Sequence, residues 1–369
     1  MAMNKTTRIL LFVIPLIILA FAIWQLGNIV AYILVAFVIS MVGEPLVSLL
    51  GKLRIRSWYF PRWLCSLITL IIIWILLYSF FRFFIPLLAQ ELQYFATIDI
   101  QSIFNNLDEP ISKIEAIISK YELSVDDDFT VAGWATETIS GLVGIDKITA
   151  LIKGIAGAIG NIFVAFVVIS FTSFFFMKEA RLFENSLVLF FPEDQENKIS
   201  HALSSISRFL KRYFIGVTLQ ITGIIIINSI GLSIVGLEFN TAVTIALISG
   251  VLNVIPYIGP FIGIMVGFFI GIAVSVPMDF YSELLPRLLC IFIAMEFTQL
   301  IDNVVFQPLI FSKSVMAHPL EIFLVIISAG TMWGVVGMIL AVPSYTVLRV
   351  VAKEFLNHSK LVQKLTERL

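Results

Sequence analysis

The chain has 369 residues, 59% of them hydrophobic and only 13% charged, and its mean hydropathy is +1.00. No soluble domain of this size hides so much apolar surface, so the expected solvent is membrane lipid. A net charge of −1 offers no basic face for nucleic acid, and two distant cysteines, Cys65 and Cys290, give neither a disulfide framework nor a metal-site spacing.

A helix needs ~20 apolar residues at ~1.5 Å each to cross a ~30 Å hydrocarbon core. Uncharged runs occupy 9–43, 64–81, 154–177, 213–237, 239–278 and 322–348, and a weaker run at 288–312 is interrupted by Glu296 and Asp302. The first is long enough for two short spans, turning at "QLGN" (25–28). Lys5 and Arg8 ahead of it also suit a signal peptide, but no small-residue cleavage site follows and a second span starts at once.

Lys and Arg in short loops set the orientation. Residues 51–63 carry Lys52, Arg54, Arg56 and Arg62 without an acid, which predicts a cytoplasmic loop and a cytoplasmic N-terminus. Residues 88–153 hold eleven acids against four lysines and read as external. Within them Asp108-Glu109-Pro110 starts an amphipathic helical stretch suited to packing on a partner or a neighbouring subunit. Residues 178–212 end in Arg208, Lys211 and Arg212 and read as cytoplasmic, as does the tail with Arg349, Lys353, Lys360, Lys364 and Arg368. The predicted organisation is a three-span region (1–87), an external helical segment (88–153), a fourth span (154–177), a cytoplasmic helical segment (178–212), a C-terminal transport core (213–350) and a cytoplasmic tail (351–369).

Span five ends outside near Glu238 and the tail lies inside, so an odd number of crossings fits between 239 and 348. Four candidates sit there, hence at least one is not a simple crossing. "VLNVIPYIGPFIG" (251–263) supplies a reason, with Pro256 and Pro260 on either side of Gly259 and Asn253 one turn ahead. Proline removes a helical hydrogen bond and clashes with the preceding turn. Two readings stand: a tight loop between ordinary spans, or a re-entrant break, which at membrane depth must be buried in protein or line a watery cavity. The expected fold is therefore an all-α polytopic membrane protein of about eight crossings, with discontinuous or re-entrant helices in its C-terminal half.

Residues 290–319 add a second break and a polar face. Glu296, Gln299, Asn303 and Gln307 recur at helical spacing, Asp302 flanks them, and Pro308 is expected to end the helix. A carboxylate near mid-membrane costs at least ~2.5–3.5 kcal/mol and commonly marks an ion or substrate path. The alternative is a polar seam bonded to neighbouring helices. Gln220 and Asn228 suit interhelical hydrogen bonds, Gly330, Gly334 and Gly337 suit close packing, and Glu44 and Arg82 suit snorkelling to the interface. The three histidines (His201, His318, His358) lack ligand spacing, so neither metal nor cofactor is expected. Neither a protease-like Ser/His pair nor a nucleotide-binding Walker motif is present, which argues against an intramembrane enzyme and against transport driven directly by ATP on this chain.

"NVIPYIGPFIG", then "QLIDNVVFQP" with "HP" at 318–319, then "WGVVGMILAVP" at 333–343 resemble the autoinducer-2 exporter family over nearly the whole chain. Pro256, Gly259, Pro260, Pro308, Gly337, Met338 and Pro343 match its pattern; Asp302 stands at its acidic position, and Phe311 where a glycine is common. The resemblance implies a bacterial inner-membrane transporter of about eight helices; the loop charges put both termini on the cytoplasmic side, and a homo-oligomer is expected. The resemblance further implies a secondary transporter, a permease or exporter of a small polar solute or signal coupled to protons or sodium. A sodium/proton antiporter is the alternative, ahead of a passive channel or a structural membrane protein.

Overall fold

The structure is a computed structural model that describes residues 27–55, 58–97, 112–113, 159–179, 188, 195–275, 278–311 and 318–355. The first span and most of the acidic segment lie outside the described residues. The fold is all-α apart from a two-residue antiparallel pairing of β1 (Arg54–Ile55) with β2 (Trp58–Tyr59). Among the described residues five helices are long and apolar enough to cross a bilayer, and three more are apolar but shorter.

The chain forms two compact units, Met1–Ile75 with Ala158–Ser200 and Leu76–Gly157 with His201–Leu369. In the first, α1 (Gly27–Lys52) packs on α3 (Ile159–Lys178) and on the first half of α2 (Arg62–Thr97) around Val47, Cys65, Leu70 and Met177. Close approach depends on Gly43, whose added Cβ would come within 2.8 Å of Met177 Sδ. Glu44 does not simply snorkel: Arg62 bonds it at 2.9 Å and also donates from Nε to the Met177 carbonyl at 3.1 Å.

The second unit is built on α4 (Glu196–Ile234), which runs without interruption from the expected cytoplasmic segment into span five. Two helical hairpins share this unit. In the first, α5 (Phe239–Leu252) turns back as α6 (Ile258–Ala273): Gly259 meets Leu252, Gly263 meets Ser249 and Gly267 meets Ile245. The arms have 14 and 16 residues, about 21 and 24 Å of helix, each shorter than the ~30 Å core.

The second hairpin lies inside α9 (Pro319–Phe355), which leaves helical geometry at Trp333 and Gly334 (φ 61°, ψ −146°). Met338 lies over Gly330, Gly337 meets the Ala329 carbonyl, and Tyr345 donates to Glu321 at 2.8 Å, so the two arms run antiparallel. The close packing expected of Gly330, Gly334 and Gly337 is thus a U-turn within one nominal helix. Gly334 supplies a backbone angle that other residues adopt poorly.

Between the hairpins runs α7 (Leu285–Ile301), entered by a π-helical turn at Phe280–Leu284 and left by another at Asp302–Phe306, with α8 (Gln307–Phe311) after it. Two apolar layers hold the unit together. Leu232, Ile245, Ile270, Ile291 and Met295 form one, and Tyr213, Ile255, Ile310, Ile326 and Val342 the other.

Candidate functional site

Pro256 lies within the first break, and the turn around it is tight. Ile258 N–H donates to the Pro256 carbonyl at 2.8 Å across Tyr257, whose φ of 67° and ψ of −50° make a γ-turn of the rare, strained kind. The expected second obstacle is not one: Pro260 occupies the first turn of α6, where a missing N–H leaves no bond unmade. Gly259 also belongs to α6, and its role is close approach, because a Cβ there would collide with the Leu252 carbonyl. The hairpin therefore breaks once, at 253–257.

Asn253 caps α5 with its backbone N–H on the Ser249 carbonyl at 3.0 Å. Its side chain is 95% buried, and Nδ2 has no acceptor among the described residues. One turn earlier Ser249 Oγ accepts from Asn228 Nδ2 at 2.9 Å, while Asn228 Oδ1 has no donor among the described residues. Asn228 and Gln220 are both interhelical hydrogen bonders.

The second break differs from its expected form. Pro308 does not end the helix, which continues to Phe311. Proline's ring crowds the carbonyl four residues back, and a turn closed five residues back makes room. Gln307 N–H accordingly donates to the Asp302 carbonyl. The wider turn also re-aims side chains. In an α-helix, positions 302 and 307 would point ~140° apart at 3.6 residues per turn; in a π turn they fall nearly in register.

Asp302 is thereby completely buried and surrounded by amides. Gln220 Nε2 donates to Oδ1 at 2.7 Å, and Gln307 Nε2 and Gln299 Nε2 lie 3.0 and 3.4 Å from Oδ2. Asn303 Oδ1 joins the same network, 2.7 Å from Gln307 and 3.4 Å from Gln299. The structure thus unites Gln299, Asp302, Asn303 and Gln307 with Gln220, which the sequence offered only as a generic interhelical donor. No cation bonds this carboxylate among the described residues. It lies seven residues from the middle of the Phe280–Ile310 span, about 10 Å along the helix.

Glu296 is placed elsewhere. It sits one residue past the midpoint of that span, exposed among Ile293, Phe297 and Leu300, and makes no hydrogen bond or ion pair among the described residues. The expected stripe is therefore divided: three of its members reach the Asp302 network and Glu296 faces away from the core. Among the described residues no His, Cys, Asp and Glu side chains gather as a metal site.

Sequence reading missed the contact surface of α6. Gly259, Gly263, Gly267 and Gly271 recur every fourth residue; the first two meet α5, and the last two meet Met295 and Ile291 of α7. The signal was in the spacing, since small residues at i and i+4 let helix backbones approach closely.

Two relatives from Bacillus subtilis (strain 168) are similar to the chain. One, named "Putative transport protein YueF", is 26% identical over 343 residues, 91% of this chain and 85% of the relative. The other, named "Putative transport protein YrrI", is 31% identical over 209 residues, 56% of each chain. The family model described as "AI-2E family transporter" matches residues 12–357. That match embraces both hairpins and the buried carboxylate between them, and the chain belongs to this family of multi-pass membrane transporters.

Proposed function

We propose that the chain is a secondary transporter of a small polar solute, driven by a proton or sodium gradient, with Asp302 at the coupling centre. The observation that carries this reading is a fully buried carboxylate, solvated by three glutamine amides and by no cation among the described residues, in the span between two antiparallel hairpins. Neutral amides relieve only part of the cost of burying a charged group, so a carboxylate so placed is suited to receive a passing cation as its counter-charge. Short helical arms that meet inside the membrane give the protein broken backbone to expose to solute, as discontinuous helices do in secondary transporters. Asn253, beside the γ-turn with a buried amide that has no acceptor among the described residues, is the second polar group assigned to the path.

The orientation belongs to the same reading: a bacterial inner membrane with both termini cytoplasmic, supported by the basic loop at 51–63 and the acidic stretch at 88–153. Self-assembly does too. Glu296 at mid-span, facing outward among apolar side chains, costs several kcal/mol against lipid and less against a second copy.

The test uses purified full-length protein in liposomes that contain a pH-sensitive dye, with sodium and proton gradients imposed separately. Proton movement driven by sodium, lost in Asp302→Asn, identifies antiport. Proton-driven movement of solute without sodium identifies solute transport. A wild-type rate equal to Asp302→Asn under both gradients overturns the reading.

A further inference from the structure

A cavity of about 370 Å³ lies within the second unit, and Asp302 is not part of its wall. Its wall includes Gln90 and Glu91 of α2, Glu238 before α5, Asn240 and Thr241 in the first turn of α5, and Arg287 of α7. The volume falls in the small-molecule range.

The charges in this wall do not neutralise one another. Glu91 is 92% buried, yet its partner is neutral: Thr241 Oγ1 donates to Oε1 at 2.8 Å. Arg287 donates from Nη1 to Ser275 Oγ at 3.2 Å and lies 3.4 Å from Met278 Sδ, both uncharged. Among the described residues no ion pair joins Glu91, Glu238 and Arg287, although all three line one space. Glu238 stands at the N-cap of α5 without a side-chain cap bond, so the first-turn N–H groups of α5 are also left for another acceptor.

The cavity and the unpaired charges of both signs in its wall share one solution. A purely cationic ligand would meet the guanidinium, and a purely anionic one would meet two carboxylates. A molecule carrying both signs satisfies both: its ammonium faces Glu91 and Glu238, and its carboxylate faces Arg287. We propose that this cavity binds a small zwitterion of amino-acid size. The site stands whether or not Asp302 couples transport.

The experiment is equilibrium binding to the purified full-length protein by calorimetry, with L-serine as probe. Ethanolamine, which lacks the carboxylate, and 3-hydroxypropionate, which lacks the ammonium, are the matched controls. Serine is expected to bind at least tenfold more tightly than either control. Glu91→Gln, which keeps an acceptor for Thr241, and Arg287→Gln should each weaken serine at least tenfold, while Gly51→Ala, which does not line the cavity, leaves it unchanged. Ethanolamine equal to serine makes this a cation site, and 3-hydroxypropionate equal to serine an anion site. Either result overturns the proposal, as does the absence of serine binding at 100 mM or serine binding unaffected by both wall variants.

Discussion

Tyr345 Oη donates to Glu321 Oε2 at 2.8 Å across 24 residues, linking the two arms of α9 beyond the glycine contacts near their turn. A hydroxyl on a carboxylate is charge-assisted and contributes on the order of 1.5–3 kcal/mol. Tyr345→Phe and Glu321→Gln should each lower the thermal midpoint, and the double variant should fall by less than the sum. A coupling of about 1 kcal/mol or more in that cycle is expected. Strict additivity would show that the arms are held without this pair.

At the first hairpin the expected costs differ sharply between neighbours. Gly259→Ala drives a methyl into the Leu252 carbonyl, where backbone must move, and should cost several kcal/mol and lower the yield of folded protein. Pro260→Ala, in the first helical turn, should change stability by less than about 1 kcal/mol. Gly51→Ala, with nothing within 4 Å, is the control and should be neutral or slightly stabilising. Thermal unfolding in detergent orders the three.

Removing one amide from the Asp302 network should also be graded. Gln220→Leu deletes the 2.7 Å bond and leaves Oδ1 without that donor, which is expected to destabilise by about 1–3 kcal/mol. Gln299→Leu removes only a 3.4 Å contact and should cost less than half as much. Equal effects would mean that the carboxylate redistributes its bonds freely.

Asp279, exposed ahead of the first π turn, accepts from Ser282 N–H at 3.0 Å and from Ser282 Oγ at 2.8 Å. The backbone donor first, then the hydroxyl, holds its pKa below the usual carboxylate value. A depressed folded value means that the stabilisation is complete above the ordinary carboxylate range and disappears as pH falls through the lowered one. Hydrogen exchange at 280–284, corrected for intrinsic rates, should show protection lost in strong acid. In Asp279→Asn that acid-dependent loss should vanish.

How much of this was readable in sequence depended on the kind of signal. Proline and glycine at 251–263 announced an interruption, because their backbone limits are local properties. Which of them interrupts was not local: Pro260 is innocuous only because Tyr257 takes the strained angle three residues earlier. The parity of charged loops called for an incomplete crossing in the C-terminal half, a count that rests on the proposed orientation; the α5 and α6 arms, at 14 and 16 residues, are each shorter than the ~30 Å core. The polar stripe, in contrast, was laid out on an ideal α-helix. The π turn at Asp302–Phe306 shifted that register, gathering Asp302 and Gln307 and leaving Glu296 outside. Gln220 could not be matched to Asp302 from sequence at all, since 82 residues separate them.

The four glycines of α6 bear on motion as well as on packing. Side-chain ridges seated in grooves resist sliding, because each must climb out before the helices can move past one another. Along Gly259, Gly263, Gly267 and Gly271 the α6 surface is backbone, and it presents no ridge of its own to α5 or α7. Small shear displacements along that track cost less than they would between interlocked helices. The track adjoins the γ-turn at one end and the Met295 layer at the other, so a sliding α6 would carry the hairpin tip with it. Bulk added at Gly267 acts as a wedge on this track, and its effect falls on rates of movement before it falls on the resting fold.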